Sequence, residues 1–192
     1  TVLNRVNPMR SIVDLCNLAL SHLAQGYVVN ELTEPTKHAR LCNTFYPICR
    51  RELLDNEHQW TFAVKRVRLN VDAGYEFGTA YVLPSDKVRI FQLESGSRFY
   101  VEGNLLFTED TAPILRYVHD VKDLALMPDS FKTALSYLLA ARIAGPLTQN
   151  EQKQISMMQL YEIEKNKAIF IDLQQHRIEA RPEHTGSMFE AR

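Results

Sequence analysis

Apolar side chains at Ile12, Leu15, Cys16, Ala19, Leu20 and Leu23 recur every three or four positions, and this spacing predicts a helix over residues 11–24 with one buried face. Ser11 with Asp14 has the form of a capping box, and Gly26 supplies a stop. Residues 30–35 then carry helix-start chemistry, with Thr33 able to cap and Pro35 tolerated in a first turn. The stripe Ala39, Cys42, Phe45, Tyr46, Cys49 and Leu53 carries a second helix to about Asn56; Pro47 lies inside it and is expected to bend or split it.

The period changes at Trp60. Phe62, Val64 and Leu69 alternate with Lys65, Arg66 and Arg68 in the manner of a half-exposed strand. Further strands are expected at 79–83, 87–93, 97–102, 105–108 and 114–118, separated by turn signals at 84–86, 95–96, 103–104 and 111–113, which suits short antiparallel hairpins. The loop 72–78 bears Tyr75 and Phe77, which either pack on the sheet edge or meet a partner. Helical spacing returns after Pro128 with Phe131, Ala134, Leu135, Leu138, Leu139 and Ile143, ended by Gly145 and Pro146. Thr148 opens a fourth helix through Ile155, Met158, Leu160, Tyr161, Ile163 and Ala168, reaching Asp172 or beyond. After Gln175 the chain turns polar, and its large apolar residues are Ile178, Met188 and Phe189. Such a segment buries too little to fold alone. The reading is α+β: helices at 1–58 and 127–174, a β-rich insertion at 59–126, and a C-terminal arm at 175–192.

Composition leaves this picture in place. Hydrophobic residues are 45% and charged residues 23% of 192, an ordinary globular balance. A net charge of −1 gives no basic surface for tight nucleic-acid binding. No apolar stretch approaches the ~20 residues of a membrane span, and the first ten residues do not lead into a signal-like apolar core. Cys16, Cys42 and Cys49 each fall at apolar helical positions and read as reduced core thiols.

Catalytic chemistry is hard to find. The chain has no phosphate loop, no G-x-G-x-x-G, no G-x-S-x-G and no H-E-x-x-H, and its six histidines are never three or four apart, so neither a cofactor nor a metal is expected. His119 and Asp120, adjacent on an extended segment, point to opposite faces and read as a surface turn rather than an acid–base pair. Glu94, Glu102, Glu109 and Asp110 are the carboxylates of the insertion from which a glycan-cleaving pair would have to come. Lys65, Arg66 and Arg68 read as a solvated strand face. Arg50 and Arg51, followed by Glu52, suit an exposed helical face with local ion pairs, or a contact across a subunit boundary.

Four ordered stretches carry a resemblance: residues 14–20 (DLCNLAL); 38–47 (HARLCNTFYP) with 50–54 (RRELL) and 60–63 (WTFA); 81–86 (YVLPSD); and 127–131 (MPDSF) with 140–144 (AARIA). Their order and spacing resemble the tail tubular protein A family of short-tailed bacteriophages, the head-to-tail adaptor or gatekeeper, over about residues 12–173. The resemblance implies a structural protein of the virion neck, assembled in the host cytoplasm. Twelve copies would form a ring between the portal protein and the tail nozzle, a tail tubular protein B-like partner, with tail fibres as a further possible partner. DNA would pass through without specific binding, and no membrane is involved. The helices of both chain ends would form a bundle, and the arm would grip the portal through Arg177, Ile178, Arg181, Met188 and Phe189. Arg50, Arg51, Tyr75 and Phe77 are the candidates for contacts with neighbouring subunits or the nozzle. Two other readings stand beside it: a tail-associated glycan hydrolase using carboxylates of the insertion, and an interaction module unrelated to phage.

Overall fold

The computed structural model describes residues 9–26, 28–72, 75 and 79–179, with the backbone alone over 176–179. Helix α1 spans Ile12–His22, and its capping box forms as expected: the Ser11 hydroxyl accepts from the Asp14 N–H at 3.0 Å and the Asp14 carboxylate accepts from the Ser11 N–H at 3.1 Å. The helix stops earlier than the glycine signal suggests. Ala24 takes a positive φ of 53°, and the Lys153 ammonium donates to the freed Leu23 carbonyl at 2.6 Å.

Helix α2, Lys37–Leu54, starts four residues after Thr33, because the side chain that caps it is Thr36, accepting from the Ala39 N–H at 3.2 Å. The Thr33 hydroxyl donates to Glu31 instead. Pro47 does not split α2. The proline and Asn43, whose carbonyl loses its partner, both lie on the exposed face, where water replaces the missing N–H.

After Trp60 a single 3-10 turn, Thr61–Ala63, leads into β1 Val64–Arg68, followed by β2 Asn70–Val71, β3 Ala80–Val82, β4 Lys87–Leu93, β5 Phe99–Glu102, β6 Leu105–Thr108 and β7 Ile114–His119. All pairings are antiparallel. They form a three-stranded sheet in the order β1-β7-β4 and a four-stranded sheet in the order β2-β3-β6-β5. The β5–β6 hairpin turns at Gly103, whose φ of 58° suits a residue without Cβ. Helix α3, Asp129–Thr148, passes through Pro146 and ends at Gln149 in the left-handed conformation. The proline thus falls within the last turn rather than ending the helix. Helix α4, Glu151–Glu179, continues past residue 175, because polar residues such as Gln174 and Gln175 are good helix formers, and loss of apolar periodicity does not end a helix.

The fold is α+β. The main core joins the helices to Trp60, Ala63, Val118, Val121, Leu124 and Met127, so the chain is fastened into the helical part where it leaves for the strands and where it returns. Trp60 is the pivot. Its indole N–H donates to the Leu53 carbonyl at 2.9 Å, and its ring meets Phe131 edge-on at 5.0 Å. A second, smaller core of Leu69, Tyr81, Leu83, Leu93, Leu106, Leu115 and Tyr117 lies among the strands. Strand β7 serves both cores through its period of two. Leu115 and Tyr117 face the strand core, and Val118 on the other face reaches the helical one.

Candidate functional site

Two groups of charge tie helices to the segments that lead into and out of the strands, and their pairings were not legible in the sequence. Arg50 is buried, and its Nη2 donates to Asp120 Oδ1 at 2.7 Å; Arg51 Nη1 donates to Asp120 Oδ2 at 3.2 Å. Asp120, read as part of a surface turn, has a side chain only 8% exposed, and His119 pairs through Nδ1 with the Ala63 carbonyl at 2.7 Å. Arg50 is therefore an internal tie from α2 to the end of β7 and presents no surface to a neighbour. Arg51, half-exposed, shares the same carboxylate and leaves the rest of its guanidinium at the surface. Helix α2 places both arginines against a loop about seventy positions later in the chain, which local spacing does not reveal.

The second group lines a cleft of about 600 Å³ between residues 57–61, the β1/β7 pair and the C-terminal half of α4. Asp172 of α4 is 4% exposed and accepts from His58 Nε2 at 2.8 Å, from the Thr61 hydroxyl at 2.6 Å and from the Thr61 N–H at 3.2 Å. Burial pushes its carboxyl up, but the hydrogen bonds from His58 and Thr61 prevail and hold it below the usual carboxylate range. The His58 ring also meets Trp60 edge-on at 4.8 Å. A carboxylate fixing a half-buried histidine resembles the orienting half of a catalytic triad. Thr61, however, spends its hydroxyl on Asp172 itself, so no hydroxyl nucleophile faces the histidine in this group. A signal for it did exist. Asp172 continues the buried α4 stripe Met157, Tyr161, Ala168 at helical spacing, where an apolar residue is the norm.

A second cleft, of about 680 Å³, lies on the four-stranded sheet, where Tyr100 stacks on Phe107 at 4.7 Å and Tyr75 meets Phe107 edge-on at 5.0 Å. Tyr75 thus packs on the sheet, and Phe77 lies outside the described residues. Among the described residues, this cleft holds one of the insertion's four candidate carboxylates, Glu109. Glu94 is paired with Arg66 at 2.7 Å, Glu102 sits exposed at the end of β5, and the Asp110 carboxyl is held low by hydrogen bonds from Ser95 and the Ala112 N–H. A general acid for glycoside cleavage needs a raised value.

The cysteines are free and buried, and burial pushes the Cys49 thiol up to about 12, far from a reactive thiolate. Among the described residues no cluster of three His, Cys, Asp or Glu is arranged to hold a metal, and no helix is long and apolar enough to cross a membrane.

Helix α4 carries more of the exposed large apolar side chains than any other described element. Ile163 is 50% and Phe170 61% exposed, flanked by Ile155, Leu160, Ile171 and Leu173. At 100° per residue, Ile163 and Phe170 lie roughly opposite the buried stripe. Of the proposed arm contacts, Arg177 and Ile178 belong to the last turns of the α4 backbone, and Arg181, Met188 and Phe189 lie outside the described residues. Searches of protein-family models and of curated proteins find no match for this chain.

Proposed function

We propose that this chain is a structural subunit of a phage neck, which assembles with copies of itself into a ring joining the portal to the tail nozzle. The observation that carries the reading is the outer face of α4. Six large apolar side chains are exposed on one helix of 29 residues, roughly 44 Å long at 1.5 Å per residue. Large apolar side chains left exposed together on one helix suit an association surface. The charges on the same helix largely answer one another, Glu162 with Lys165 and Glu164 with Lys167, so a partner need not supply counter-charges.

A face on one side of a subunit that meets a different face of the next makes a heterologous contact, which closes into a ring or runs on as a filament. The four ordered stretches resembling the tail tubular protein A family favour the ring, and they name its partners. The near-neutral charge suits a conduit that DNA crosses without being held. No observation favours the hydrolase reading, which needs a second carboxylate opposite Glu109.

Mixing the purified chain with a portal protein from a short-tailed phage and measuring mass and particle images tests the proposal. The expected outcome is a single large complex of defined copy number. Two proteins that remain separate at every concentration would sink it.

A further inference from the structure

We propose that the cleft between α4 and the β1/β7 pair is a binding site for a carboxylate group, with Arg116 as its principal donor. The strand register sets Arg66 directly opposite Arg116, a like-charge arrangement that needs an anion to offset it. Glu94 neutralises Arg66. Arg116 lines the cleft and makes no ion pair among the described residues; its Nε–H is buried without an acceptor, and its Nη groups, which are left to face the cleft, make no hydrogen bond to any described residue. The buried carboxylate of the same cleft does not serve, because Asp172 is engaged by His58 and Thr61. Glu57 stands exposed at the rim.

The walls select the ligand. A guanidinium presents a planar fork of donors that matches a carboxylate. The charges of Asp172 and Glu57 in the same cleft make a dianion such as phosphate costlier to admit than a single carboxylate. The space, about 600 Å³, far exceeds one carboxylate, and Val64 and Leu173 add apolar wall. The ligand is therefore a carboxylate carried on a partly apolar stem. An acidic side chain of a second copy and a free short-chain acid share that chemistry.

Histidine ring signals of the isotopically labelled full chain, followed by NMR at pH 7 and at concentrations where it is monomeric, test the site. Acetate and butyrate are titrated against chloride at matched ionic strength. The expected result is a saturable shift of the His58 signals with the acids and none with chloride. In Arg116→Gln the apparent affinity should fall at least tenfold, with Arg116→Lys intermediate; unchanged signals from the remaining histidines report that both variants fold. No saturable shift, or an equal one in Arg116→Gln, overturns the proposal. Sedimentation then separates the sources. Self-association weakened by both acetate and Arg116→Gln assigns the carboxylate to a second copy, whereas association indifferent to both assigns it to a free acid. Because the NMR arm uses monomer, its failure leaves the ring reading standing, and failure of the ring reading leaves this site standing.

Discussion

Asp172 occupies a position on α4 where the helical stripe calls for an apolar side chain, and it is kept there by three hydrogen-bond donors from residues 58–61. Its carboxyl is held below its ordinary value, so its contribution to stability is complete above the unfolded value of about 4 and is lost as the pH falls through the lower folded value. Asp172→Asn should therefore flatten the loss of stability in that acid range, measured by urea unfolding at a series of pH values; a slope equal to the wild type's would contradict the assignment. Asp120 poses a different case. Asp120→Ala leaves the buried Arg50 guanidinium without its anion, and the expected cost is about 3–5 kcal/mol in denaturant unfolding, the range for breaking one side of a buried pair. Arg51→Ala, removing the half-exposed partner, should cost about 1 kcal/mol or less. The stripe on α4 marks Asp172 as buried, but its partner could not be read from the sequence, since His58 and Asp172 stand 114 positions apart.

At the scale of elements, α4 divides into a face that packs on the helical core and a face that is left exposed among the described residues. Full burial of an aliphatic or aromatic side chain contributes about 1.5–3 kcal/mol, so Ile163 and Phe170 are large enough to decide an association. The double variant Ile163→Glu, Phe170→Glu should keep its helical circular dichroism yet weaken self-association by two orders of magnitude or more in sedimentation experiments. Undiminished association would move the interface elsewhere. Strand limits were legible where turn signals bracket them: β4 and β6 fall on the residues expected. Helix ends were less so. Thr33 and Thr36 are both competent caps, and the choice between them depends on where the chain enters α2, a tertiary matter.

For the whole molecule, two cores sharing β7 explain how a strand-rich insertion stays fixed to the helices without a long linker. The arm assignment predicts that a chain lacking residues 177–192 folds but no longer binds a portal, as a pull-down or a mass measurement would report; retained binding would remove the arm from the interface. The order of helices, strands and helices followed from the sequence alone, because the 3.6- and 2-residue periods record which side chains must leave water, and this requirement acts locally. The tolerance of proline in α2 and the partners of the two buried carboxylates were decided by the tertiary structure. Whether a polar group is exposed, paired or orphaned depends on what the fold brings against it from far along the chain. So the α+β architecture was written in the spacing of apolar residues, whereas the Arg116 cleft exists only because β1, β7 and α4 meet there.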